Sequence, residues 1–272
     1  MSVEQSLLGK ETLYKTAYDP GLLFPISRQI NRDKIGVNST SLPFVGVDIW
    51  NAYELSWLDS KGKPRVAILE FHVPIDSPNL VESKSIKLYL NSFNQTKLDN
   101  VSELQRLIEQ DLSQAAGKAV SATITLPGAF KLLHLQELSG RCIDDLALET
   151  DCYHPRPEFL QASGAVVEET LLSHLLRSNC PVTNQPDWGA VQIYYRGPEI
   201  SHEGLLKYIV SFREHNEFHE QCVERMFVDI MKHCRPTSLA VYARYTRRGG
   251  LDINPMRANF AYPVENARGA RQ

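Results

Sequence analysis

The sequence predicts an α+β protein made of tandem ββααββ modules, antiparallel sheets with a helix pair on one face of each. Three observations carry this. Short alternating apolar runs give way to runs of helical period and return to alternation. The Pro127-Gly128 and Gly62-Lys63-Pro64 clusters fall between strand-like runs. And the chain aligns with itself when Phe93 is laid on Phe212, a shift of 119 residues.

In order, residues 1–44 mix Gly9, Pro20-Gly21, Pro25 and Pro43 with short apolar runs, which reads as an extended arm packed on a larger body. Val45 to Leu58 and Arg65 to Val73 read as a β-hairpin with a longer loop. In Glu82 to Phe93, the residues Ile86, Tyr89, Leu90 and Phe93 recur at helical spacing. A second helix runs from about Val101 to Ala116, with Leu104, Leu107, Ile108 and Leu112 on one face and Gly117 as its stop. Strands are expected from Ala119 to Leu126 and from Phe130 to Glu137. After a linker rich in Pro, Asp and Gly come an expected helix from Val166 to Arg177 and strand from Gly189 to Arg196. A helix at Gly204 to Phe212, a helix from about Glu220 to Met231 and a strand at Ser238 to Tyr245 complete the order. In the self-alignment Tyr89 meets Tyr208 and Ser92-Phe93 meets Ser211-Phe212, while Val101 to Leu112 meets Glu220 to Met231. The expected modules are residues 1–160, with the arm and Glu82-Ser83-Lys84, and residues 161–272, with Cys180. Copies that keep different polar residues imply one active site divided between them.

Chemistry concentrates in Ser178 to Gly189. Two prolines, two asparagines and a glycine there argue against helix and regular strand, and Cys180 stands seven positions before Asp187. Cys180 is either inert packing or a nucleophile acting as thiolate. Asp187, beside Trp188 and after Pro186, reads as a desolvated carboxyl protonated more readily than a free Asp, able to return a proton to an intermediate. His219-Glu220 either opens a helix, where the dipole favours Glu, or reads a purine or pterin edge. Arg244-Tyr245-Thr246-Arg247-Arg248-Gly249-Gly250 is either a solvated turn or a phosphate site. His215, His219 and Cys222 have ligand spacing, but His-Glu-x-x-His and Cys-x-x-Cys are absent and Cys222 falls among apolar residues, so no metal is expected.

Composition narrows the classes. The 272 residues are 43% hydrophobic and 22% charged, with formal charge −3, which disfavours a broad nucleic-acid or anionic-membrane surface and favours small ligands. No apolar run reaches the roughly 18 residues of a membrane span, and Met1 to Gln5 lacks signal-peptide character. Five cysteines without framework spacing suit a reducing compartment, so a cytoplasmic location is expected.

The run Glu82-Ser83-Lys84-Ser85-Ile86-Lys87-Leu88-Tyr89-Leu90-Asn91-Ser92-Phe93, the loop around Cys180 and Asp187, and Phe218-His219-Glu220 together resemble the NADPH-dependent 7-cyano-7-deazaguanine reductases of queuosine biosynthesis in their long, two-module form. The resemblance implies the tunnelling fold and a homodimer. It implies that Cys180 adds to the substrate nitrile to give a covalent thioimide, with Asp187 as proton donor. By the same resemblance Val81, Glu82, Ser83, His219 and Glu220 hold the deazapurine, and Ser83, Lys84, Arg248 and Gly249 contact NADPH, two molecules of which are consumed per turnover. A thiol hydrolase would share Cys180 but release an acid, and a purine-binding module would keep Glu220 and ignore the thiol.

Overall fold

A computed structural model describes residues 15–272, so the first 14 residues of the expected arm lie outside the described residues. The chain divides into two compact units. One comprises residues 47–134 and 247–252 with the N-terminal arm up to Ser41; the other comprises residues 42–46, 135–246 and 253–272.

In the first unit the arm is sewn down rather than merely extended. β1 (Pro25–Ser27) is followed by a one-turn helix, α1 (Gln29–Arg32). Arg28 Nη2 meets Asp48 Oδ2 at 2.6 Å with both groups buried, and Arg32 Nη2 donates to the Ile75 carbonyl at 2.8 Å. β2 (Val45–Leu58) and β3 (Pro64–Pro74) form the expected hairpin, and β4 (Asn79–Val81) pairs with β1. Then α2 (Ser83–Ser92) and α3 (Val101–Ala116) form, α3 capped by the Asn100 side chain and ended by Gly117 at φ 77°. β5 (Ser121–Thr125) pairs antiparallel with β3, and its Ala122 amide and carbonyl are bonded by Glu109 and Gln105 of α3, which occupy groups a bare edge would leave open.

The strand expected at Phe130 to Glu137 does not form. Pro127 starts a 3-10 turn through Leu132, and the apolar alternation that mimicked a half-buried strand points outward: Leu132 is 71% exposed. The first unit therefore shows ββααβ, without the closing strand.

The second unit has β6 (Arg141–Cys142), β7 (Ala162–Ser173), β8 (Arg177–Asn179), β9 (Pro186–Ile200), α4 (His202–Ser211), α5 (His219–Cys234), β10 (Ser238–Tyr245) and β11 (Leu251–Ala258). Its sheet order is β11-β10-β9-β7-β6, with β8 also paired to β9. The expected helix at Val166 to Arg177 is a strand. Val166, Val167 and Thr170 are β-branched, and pairing with β9 overrides the apolar spacing that resembled a helix. β11 is buried along its whole length although it carries Asp252, Asn254 and Arg257, because those polar groups are partnered: Arg257 Nε and Nη2 both reach Glu224 Oε1, at 3.1 and 3.0 Å.

The repeat survives in detail, with one correction. α2 and α4 keep the shift of 119, and each places a Tyr edge-on to a Phe one turn later: Tyr89–Phe93 at 5.3 Å and Tyr208–Phe212 at 5.2 Å. α3 and α5 are related by 118 instead, since the connection before α5 is one residue shorter. In that register Leu104, Ile108 and Leu112 correspond to Cys222, Met226 and Ile230, all buried. Asp111 then corresponds to Asp229, and these carboxylates accept from Tyr89 at 2.7 Å and Tyr208 at 2.6 Å.

Glu224→Ala should destabilise the protein by about 3–5 kcal/mol, because it strands the fully buried Arg257 guanidinium. Urea unfolding of parent and variant measures it.

Candidate active site

The second unit builds its cluster from a hairpin and a helix start. The segment expected to be irregular is regular at both ends: Ser178 lies opposite Asp187 and Asn179 opposite Pro186, leaving Cys180 to Gln185 as the loop. Pro186 is tolerated as the first residue of its strand. The loop closes on itself through Cys180 N donating to Gln185 O at 2.9 Å and Asn184 N to Cys180 O at 3.1 Å, with Asn184 in the left-handed region at φ 55°. Strand alternation puts Ser178 and Asp187 on one buried face, and Cys180, two residues beyond Ser178, is buried as well. Cys180 and Asp187 are each 4% exposed.

Asp187 does not owe its burial to Trp188. The two residues alternate across the strand, and Trp188 is 37% exposed between the guanidinium groups of Arg177 and Arg213, each 5.4 Å from its ring. The dry setting of Asp187 comes from the other side. His219 Nε2 lies 3.3 Å from Asp187 Oδ1, and its ring stacks on Tyr245 at 3.9 Å and 4°. His219 Nδ1 is buried with no hydrogen-bond partner among the described residues. Glu220, 3% exposed, follows in the first turn of α5. Burial pushes the Cys222 thiol and the Tyr245 phenol well up from their ordinary values, so neither is ionised at neutral pH.

What brings helix start and hairpin together is a short parallel bridge. Asn179 N donates to His215 O at 2.8 Å, and Glu217 N donates to Asn179 O at 3.1 Å. Asn216 Nδ2 adds bonds to Cys180 O at 3.2 Å and Asn184 Oδ1 at 2.9 Å. The bridging segment is itself held by Glu217, whose carboxylate takes a two-pronged contact from Arg225, at 2.7 and 3.0 Å, and meets His215 Nε2 at 3.0 Å. Burial alone pushes the Glu217 carboxyl up, but the hydrogen bonds and charges of His215 and Arg225 outweigh it, and the net shift is downward.

The first unit holds the remaining residues. Val81 ends β4 and is buried, and Glu82 is the fully buried N-cap of α2. Its two carboxylate oxygens accept from Lys84 N at 2.7 Å and Ser85 N at 2.8 Å, while its own N–H donates to Phe24 O at 2.9 Å. Burial pushes the Glu82 carboxyl up despite these bonds. Ser83 and Lys84 open α2, and Lys87 stands one turn on, on the same face.

The Arg248–Leu251 turn lies in this unit too. Arg248 N donates to Leu251 O at 2.8 Å, and Gly249 and Gly250 have φ 57° and 72°, the pattern of a type I′ hairpin turn. A Cβ on Gly249 would meet the Lys87 side chain at 3.3 Å, so a basic patch forms where Lys87 packs on the glycine next to Arg248. Such a patch suits the phosphates of a dinucleotide.

Thus Cys180, Asp187, His219 and Glu220 gather in one unit, and Val81, Glu82, Ser83, Lys84, Arg248 and Gly249 in the other. The would-be ligands His215, His219 and Cys222 do not converge: they serve Glu217, Asp187 with Tyr245, and the core. No metal-holding group of three His, Cys, Asp or Glu occurs among the described residues. Three contributors lay outside the sequence reading. Lys87 was visible as the i+3 neighbour of Lys84. Tyr245 as a platform, and the Glu217–Arg225 pair eight residues apart, give no local signal.

Two family models match the chain: one described as nitrile reductase, 7-cyano-7-deazaguanine-reductase N-term, over residues 14–124, and one described as QueF-like protein over residues 186–262. Relatives named NADPH-dependent 7-cyano-7-deazaguanine reductase align almost end to end. The one from Ralstonia nicotianae is 61% identical over 273 residues, 99% of each chain. The one from Chromobacterium violaceum is 58% identical over 271 residues, 99% of this chain and 97% of the relative. The one from Burkholderia cenocepacia is 58% identical over 277 residues, covering both chains in full. Among solved structures, the apo archaeosine synthase QueF-Like aligns over 37% of this chain and 99% of its own, at 17% identity and a TM-score of 0.32.

These likenesses define an oxidoreductase of the nitrile reductase class, with NADPH as reductant. More particularly, the chain belongs to the NADPH-dependent 7-cyano-7-deazaguanine reductase family. No helix among the described residues is long and apolar enough to cross a membrane.

The depressed Glu217 carboxyl has a pH consequence. Its contribution to stability is full above the unfolded value of about 4.3 and is lost as pH falls from there through the lower folded value. Denaturant midpoints measured between pH 6 and pH 3 should fall less steeply for Glu217→Gln than for the parent, although the variant is less stable at pH 6.

Proposed function

We propose that this protein reduces the nitrile of 7-cyano-7-deazaguanine to the primary amine of 7-aminomethyl-7-deazaguanine, through a thioimide on Cys180, as a step of queuosine biosynthesis. The observation that carries the proposal is that Cys180, Asp187 and His219 are all buried where the β8–β9 hairpin meets the start of α5, with the Asp187 carboxyl 3.3 Å from the His219 imidazole. Nitrile carbon is a weak electrophile. Addition of the Cys180 sulfur converts the triple bond into a polarised C=N, and the nitrogen takes a proton from Asp187. NADPH, when bound, supplies a hydride on each of two occasions, so two hydrides and two protons turn the nitrile into the amine while the Cys180 sulfur is released unchanged.

The remaining residues bind and orient. His219, held by Asp187 at Nε2 and by the Tyr245 ring, has its buried Nδ1 left to meet the substrate. Glu220 is the carboxylate for the guanine-like edge. Glu82 has both oxygens on the α2 cap, but a carboxylate has about four lone-pair sites and can receive substrate donors as well, together with Val81 and Ser83. Ser83, Lys84, Arg248 and Gly249, with Lys87 added, would hold NADPH. The helix pairs and antiparallel sheets support tandem tunnelling-fold modules, and the family supports a cytoplasmic homodimer that handles a small molecule rather than nucleic acid.

Asp187→Asn keeps the shape of the side chain but cannot donate the same proton. NADPH oxidation at saturating nitrile should fall on the order of a hundredfold or more while equilibrium binding of the nitrile persists. Turnover at the parent rate would move the acid role to another group, His219 first.

A further inference from the structure

We infer that Tyr53 is a positioning residue for NADPH, gripping the Arg248–Leu251 turn so that its arginines are already placed when the dinucleotide arrives. The inference rests on the reading of that turn as part of the cofactor site.

β2 carries a bulge at this residue: the three steps from Ala52 to Leu55 oppose only the two from Leu69 to Ala67 on β3. A bulge interrupts the ladder and re-aims what it carries. Tyr53 uses that freedom in three ways. Its N–H donates to Gly250 O at 2.9 Å, its hydroxyl donates to Asp252 Oδ2 at 2.6 Å, and its ring lies under the Arg247 guanidinium at 5.3 Å. One residue thus holds the turn's second glycine, the residue after the turn and the arginine before it.

The supports are themselves fixed. Asp252 is 1% exposed and also accepts from Asn51 Nδ2 at 2.7 Å. Glu54, the other residue of the bulge, packs so closely on Gly250 that a Cβ there would fall 2.5 Å from its carboxyl carbon. Lys84, Lys87, Arg247 and Arg248 all belong to this unit. A turn tied down at three points keeps Arg248, and Arg247 just before it, in place, so less ordering accompanies binding. Loss of this arrangement should appear in affinity for NADPH.

The test is steady-state kinetics of full-length Tyr53→Phe, which removes only the hydroxyl, and Tyr53→Leu, which also removes the ring, with NADPH and nitrile varied separately. Arg248→Ala is the control for the cofactor site itself. The expected result is a KM for NADPH raised about tenfold or more in Tyr53→Leu and by about three- to fivefold in Tyr53→Phe, with kcat and the nitrile KM within about twofold of the parent. Unchanged NADPH KM in both Tyr53 variants, with Arg248→Ala raised, overturns the positioning role alone. Unchanged NADPH KM in all three overturns the cofactor assignment and the inference with it. A fall in kcat without a change in KM overturns it as well. Should Tyr53→Leu fail to melt cooperatively, Tyr53→Phe decides on the same criteria.

Discussion

Asn179 N donating to His215 O, and Glu217 N donating to Asn179 O, are two backbone hydrogen bonds on which the second unit's chemistry depends. They tie the hairpin that carries Cys180 and Asp187 to the segment that launches α5, two residues before His219. Without them the thiol would sit on a loop and the imidazole on a helix with independent freedom. With them, His219 reaches Asp187, and Tyr245 at the end of β10 closes the stack from behind. The segment is anchored by charge as well, since Glu217 is buried against Arg225 and His215. The relative placement of the Cys180 loop, Asp187 and His219 is thus supplied by backbone bonds and a buried ion pair.

The first unit solves a different problem with the same parts. Its helix pair repeats that of the second down to the Tyr–Phe edge contact and the Tyr–Asp link between helices, so those features serve the scaffold. The copies part at the helix starts. α2 is capped by buried Glu82 and followed by two lysines one turn apart, whereas α4 is capped by Ser201 and α5 carries His219-Glu220. The first copy thus keeps lysines on its first helix, and the second keeps a His-Glu pair on its second helix and a buried thiol in the loop before its long strand.

Much of this was legible in the chain. α2, α3, α5 and β10 follow from apolar period and from punctuation such as Gly117, and the self-alignment is right to within one residue. What failed did so for physical reasons. Val166 to Arg177 has apolar residues at spacings that fit a helix, and only pairing with β9 decides for a strand. Phe130 to Glu137 alternates like a strand but lacks a partner on which to bury Leu132 and Leu133. β11 hides its identity because Asp252, Asn254 and Arg257 look exposed until Asn51, Gln272 and Glu224 are seen beside them. At the site, residue types were readable and their supports were not. Trp188 looked like the shield of Asp187 by adjacency, yet adjacency in a strand means opposite faces.

The proposed reaction makes the Cys180 thiol, rather than any of the other four thiols, the carrier of the nitrile through reduction. Intact-mass measurement after adding 7-cyano-7-deazaguanine without NADPH tests it most directly. One added substrate mass per chain is expected, mapped to Cys180 by peptide digestion and absent in Cys180→Ala. An unmodified parent chain under saturating nitrile, or an adduct on Cys142, Cys152, Cys222 or Cys234 with Cys180 untouched, would contradict it.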